Sequence, residues 1–215
     1  MKVMKILLVL ILFSNVGCLG IDGRPSVKID VAFKKNNKMD EQEFWRIIDY
    51  AFEVAGYDSK KKAHIIEDKL AEYTPEQITD FEIILERKII AANDFKIIAI
   101  DQIIDGSVSD DTFLYFRCWL IGLGQNTFEE TMKNPDNLAD KIEKGPEPDF
   151  EDLLYVSTEA YQRKAGKKEE DASFPRDVAY KKGLNYDFGG PKTTGRDWKK
   201  SELPKLYPKL WSKFN

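Results

Sequence analysis

Apolar and polar positions alternate at helical spacing over most of this chain. After Met39, the residues Phe44, Ile47, Ile48, Ala51, Phe52 and Ala55 recur every three or four positions until Gly56, which predicts an amphipathic helix with one buried stripe. Asp40 stands at its N-cap with Glu43 at N3, and Met39 and Phe44 bracket the start as a hydrophobic staple. A second amphipathic segment runs from about Ser59 to Glu72. At Tyr73-Thr-Pro-Glu-Gln-Ile78, Thr74 caps, Pro75 takes N1 and Gln77 takes N3, so a third helix begins there. Its stripe is Ile78, Phe81, Ile84, Leu85, Lys88 and Ile89. The isoleucine-rich run Phe95 to Ile104 would permit a strand, but helical neighbours on both sides favour helix.

The most apolar stretch follows. Ser109 offers a capping oxygen, Asp110 and Asp111 place negative charge in the first turn, and Val108 and Phe113 form a staple. From Phe113 to Leu123 only Arg117 and Gly122 interrupt the apolar run. A helix apolar on nearly every side belongs in the middle of a domain. Beyond it, Asn134-Pro-Asp-Asn-Leu138 repeats the cap-then-proline logic for a short helix, and Phe150 to Arg163 returns to helical spacing. After Gly166 the periodicity dissolves, yet Tyr180, Tyr186, Phe188, Trp198, Tyr207, Trp211 and Phe214 are too many aromatics for a free tail. The expected fold is all-α: one compact multi-helix domain over residues 39–165, with an irregular, aromatic-rich extension, 166–215, wrapped on it.

Composition narrows the function classes. A 42% hydrophobic content supports a core without disulfides or metals, and 33 basic against 37 acidic residues leave a net charge of −4. No bulk charge argues for nucleic acid, and the Lys-rich tail from Lys192 reads as a solvated face. Residues 1–18 have the layout of a signal peptide: a short basic start at Met1 to Lys5, an apolar run from Ile6 to Phe13, then small residues. Ile6 to Val16 falls short of the about 20 apolar residues that a bilayer core of about 30 Å requires. Asn15-Val-Gly-Cys18 resembles a bacterial lipobox, which implies lipidation of Cys18 and a membrane anchor, although Asn15 stands where leucine is usual. The alternative is ordinary cleavage nearby, with Cys18 removed. Residues 19–38 read as a linker, with Val27 to Val31 as loop.

Four stretches in this order resemble the bacterial domain-of-unknown-function family 4240. They are Met39-Asp-Glu-Gln-Glu-Phe-Trp45, Ser109-Asp-Asp-Thr-Phe-Leu-Tyr-Phe-Arg-Cys-Trp-Leu-Ile121, Asn134-Pro-Asp-Asn-Leu-Ala139 and Leu206-Tyr-Pro-Lys-Leu-Trp211. The resemblance spans roughly residues 39–214. It implies no activity, substrate or cofactor.

Candidate chemistry is sparse. His64 is the single histidine and lies in a Lys-rich segment with no Ser or Cys motif beside it. His64 and Cys118 cannot supply the three or four ligands of a zinc site, and no phosphate-binding glycine motif occurs, so neither metal nor cofactor is expected. Cys118, deep in the apolar helix, reads as a structural thiol. Arg117 is the anomaly. A guanidinium buried without a partner costs about 3–5 kcal/mol, so it calls for a carboxylate from another helix, with Glu43, Glu82 and Glu159 as candidates, or for a cleft. Candidate ligand-binding residues are therefore Arg117, Asp110, Asp111, Trp119 and Trp45, with no catalytic residue assigned. The expected function is an exported binding or protein-interaction domain of the bacterial cell envelope, with an unknown protein partner. The alternative is a hydrolase-like enzyme with Asp110, Asp111 and Arg117 in one cleft.

Overall fold

The helix-start signals set the chain's course. The structure is a computed structural model, and it describes residues 36–187 and 189–215. Residues 1–18, read above as a signal peptide, with Cys18, the segment Val27 to Val31 and Phe188 lie outside the described residues. Asp40 accepts from the Glu43 amide (3.1 Å) and opens α1 (Glu41–Ala55); Asp58 opens α2 (Ser59–Leu70) in the same way. The Thr74–Gln77 capping box starts α3 (Pro75–Ala91), and Asp94 caps α4 (Phe95–Ile104). Ser109 and Thr112 cap each other at the start of α5 (Asp110–Ile121).

One helix had no signal of its own. α6 (Gln125–Lys133) follows Gly124, which has no side chain to cap it. Asp49 of α1 accepts from the Gln125 amide instead (2.8 Å). Gly124 has φ +94°, and a Cβ there would meet the Asp49 carboxylate at 2.5 Å, so the position admits only glycine. A 3-10 turn (Pro135–Asp140), a second one (Glu151–Leu154) and α7 (Val156–Ala165) complete this part.

Residues 35–215 form one compact unit. Among the described residues all regular elements are helices, apart from an isolated bridge between Asp94 and Thr194. α3 is central and touches α1, α5, α7 and α8 (Pro175–Lys181). Its buried positions are Ile78, Phe81, Glu82, Ile83, Leu85, Glu86 and Ile89, wider than a single stripe. The C-terminal half of α5 is enclosed from Phe116 to Ile121, as a helix apolar all round requires.

The extension wraps the domain through short helices of its own: α8, α9 (Leu203–Leu206) and α10 (Pro208–Phe214). Phe174, Ala179, Leu203 and Leu210 are fully buried on the domain. Asp136 accepts from the Lys209 and Leu210 amides (3.2 and 3.0 Å), so the 3-10 turn after α6 caps α10. The Trp198 indole donates to the Phe95 carbonyl (2.8 Å), whereas Tyr180 stays exposed.

Candidate functional site

Arg117 is 5% exposed, and none of the three glutamates expected as its counter-ion pairs with it. Among the described residues no carboxylate lies within salt-bridge distance. Nη1 donates to the Ile89 carbonyl (3.1 Å) in the last turn of α3, and Nε makes a longer contact with the Phe113 carbonyl (3.4 Å). The guanidinium also sits 4.7 Å from the Phe113 ring. A helix C-terminus carries partial negative charge, so its carbonyls take the place of a counter-ion. Burial pulls the pKa of Arg117 below the ordinary guanidinium value.

The three proposed acidic partners are engaged elsewhere or distant. Glu43, although buried, accepts from Arg46 (2.7 Å) and from the Tyr73 hydroxyl. Burial pushes Glu43 up, but these bonds prevail and hold its carboxyl below the usual range. Glu82 accepts from the Ser157 hydroxyl, and Glu159 is exposed on α7.

Beside Arg117 lies a cavity of about 350 Å³. Ile90, Ile98, Val108 and Leu114 give it apolar walls, and Asp110 and Asp111 stand at its edge in the exposed first turn of α5. Tyr186, Asp187, Gly189, Gly190 and Thr193 close it from the extension. Arg117, Asp110 and Asp111 thus share one cavity. Trp45 and Trp119 do not line it. Trp119 is two residues from Arg117, about 200° round the helix, and packs against Phe116. Trp45 faces the core between Phe44 and Phe128.

The family model described as "Protein of unknown function (DUF4240)" matches residues 39–163. The chain belongs to this family. No curated protein and no solved structure matches it. In this DUF4240 member the matched region supplies Arg117 and both aspartates, while the residues that close the cavity lie beyond the match.

Two other residues first flagged in the sequence are quiet. His64 is exposed, 3.5 Å from Asp68. Cys118 is fully buried, and burial pushes its thiol far above the ordinary value.

Four further buried ionisable residues stand apart from this cavity. Lys62 is fully buried, donates to the Gly122 carbonyl (3.4 Å) at the end of α5 and lies 4.6 Å from the Phe150 ring. Burial brings its pKa down to about 8. Asp101 is buried with Oδ2 unpartnered, and burial raises its carboxyl to about 8. Glu82 and Glu86 lie one turn apart on α3 and hydrogen-bond each other. Burial, reinforced by the neighbouring Glu82, raises Glu86 to about 8.

Proposed function

We propose that this DUF4240 protein is an exported binding domain of the bacterial cell envelope, tethered by lipid on Cys18. Its ligand presents a carboxylate to Arg117. The observation that carries this reading is the buried guanidinium: it borders an open cavity, has two backbone carbonyls for partners and lacks a carboxylate among the described residues. Planar, forked N–H donors suit a carboxylate, and a desolvated site strengthens that bond. The apolar walls would take an aliphatic body.

Binding is favoured over hydrolysis by distance. Asp110 precedes Arg117 by seven residues, about 10 Å along the helix axis, too far for both to act on one reacting atom. The aspartates at the edge disfavour a multiply charged phosphate and accommodate a polar or cationic far end.

Hexanoate and its neutral amide test the site by calorimetry. Hexanoate is expected to bind and hexanamide to fail, with Arg117→Met removing the hexanoate signal and Arg117→Lys weakening it about tenfold through loss of the fork. Equal binding of acid and amide would remove the Arg117 assignment. For the tether, Cys18→Ala is expected to release the protein from membranes; continued association would remove that part of the reading.

A further inference from the structure

The side of α5 that faces the Arg117 cavity carries three kinds of group in order. Asp110, Phe113, Leu114 and Arg117 stand at i, i+3, i+4 and i+7, so they share one helix face, and all four line the cavity. From the exposed first turn inward, that face presents a carboxylate, two apolar side chains and then a guanidinium. Within the guanidinium, Nε and Nη1 are tied to the Phe113 and Ile89 carbonyls. Nη2 donates to none of the described residues and keeps accessible surface. On a side chain only 5% exposed, an open donor at a cavity marks where an acceptor from outside belongs.

The mouth of the cavity extends onto two tyrosines. Tyr115 is partly exposed on the flank of this face, one turn after Asp111. Tyr155, at the N-cap of α7, is 44% exposed. Glu151 accepts from the Tyr155 hydroxyl (3.1 Å) and is also a partner of the Tyr115 hydroxyl, so one carboxylate brings the two phenols together. Tyrosine rings are enriched where partner chains dock. The distances suit an extended chain. Asp111 precedes Arg117 by six residues, about 9 Å along the helix axis. A peptide covers about 3.4 Å per residue, so its third residue from the bottom of the cavity reaches the first turn of α5. Main-chain N–H groups are neutral donors, and the Asp110 and Asp111 carboxylates are acceptors for them. A simple aliphatic acid would leave both aspartates and both tyrosines without a role, and an ω-amino acid would use the aspartates alone.

We infer that the carboxylate held by Arg117 is the C-terminus of a partner protein's chain. Its last side chain is aliphatic and packs against Phe113 and Leu114, and the preceding residues leave past Asp110 and Asp111 onto Tyr115 and Tyr155. This rests on the carboxylate-binding role proposed above for Arg117 and adds the kind of molecule that brings the carboxylate. Capture of a free chain end needs one buried cation and a short groove, and the cavity of about 350 Å³ has room for a terminal residue while the rest of the partner stays outside.

Calorimetry on the full chain compares N-acetyl-Ala-Ala-Ala-Leu, its C-terminal amide, hexanoate and 6-aminohexanoate. The peptide acid is expected to bind about tenfold or more tightly than either small acid, and its amide about tenfold or more weakly than the peptide acid. Tyr115→Ala combined with Tyr155→Ala is expected to weaken the peptide acid by about three- to tenfold. Hexanoate binding should stay unchanged in that variant, which also shows that it folds. If hexanoate is lost as well, Tyr155→Ala alone, at the more exposed position, decides. A peptide acid no tighter than hexanoate, a 6-aminohexanoate that matches it, a peptide amide that binds as well as the acid, or undiminished peptide binding by the folded tyrosine variant would each overturn the inference while hexanoate binding leaves the Arg117 role standing. Failure of hexanoate and the peptide acid alike would remove both.

Discussion

The Arg117 cavity and a second one of about 390 Å³ between α3 and α8, bordered by Glu86, share Tyr186 and Asp187 as a common wall, and each has a buried ionisable side chain of opposite type in its lining. Arg117 is stabilised by the Ile89 carbonyl in the last turn of α3, a neutral helix terminus acting as a counter-ion. Glu86 has no equivalent, because it sits in mid-helix where every backbone amide is already bonded. Its remaining way to lower the cost of burial is to hold its proton against Glu82. A guanidinium has no such recourse, since it stays protonated throughout the accessible pH range. The same degree of burial therefore gives one cavity a fixed charge and the other a titrating one.

The largest test of this pairing removes the wall. A chain ended after Gly166 loses the buried Phe174, Leu203 and Leu210, each contributing roughly 1.5–3 kcal/mol. It is expected to lose its cooperative unfolding transition, measured by denaturant titration. An unchanged midpoint would mean that the extension is not part of the core.

A smaller effect separates the two charges by pH. Glu86 has an ordinary carboxyl pKa of 4.5 and is raised to about 8 in the fold, so its contribution is fully present below about 4.5 and is lost as pH rises to about 8. Asp101, raised from 3.8 to about 8, acts in the same direction. Unfolding free energy is expected to fall by on the order of 2 kcal/mol between pH 5 and pH 8. Glu86→Gln should flatten that slope and Arg117→Met should not; a slope unaffected by Glu86→Gln would place the titration elsewhere. The smallest effect belongs to Asp110→Asn with Asp111→Asn. Stability should drop by less than about 1 kcal/mol at low salt and recover at 1 M salt, as expected for exposed first-turn charges. A larger, salt-resistant loss would show that these aspartates face the cavity interior.

Much of the fold was legible because its signals are local. Asp40, Thr74 and Ser109 cap where spacing predicts, and Arg117 stood out because it interrupts an apolar run. Its partners did not, because backbone carbonyls have no letter in a sequence. The burial of Glu82 and Glu86 was hidden for another reason. They occupy what looks like the wet face of α3, and that face is covered by α7 and α8, much later in the chain. α6 escaped notice because its capping carboxylate, Asp49, comes from a different helix. Interactions within one turn can be read from order alone; those that join distant segments cannot.

The late cover over α3 also has a kinetic meaning. When residues 39–165 have been synthesised, the part of α3 that α8 covers is still bare, and the wall common to both cavities does not yet exist. Folding to the final state must wait for α8 and α10. The export proposed above would then act on a chain that has not yet locked.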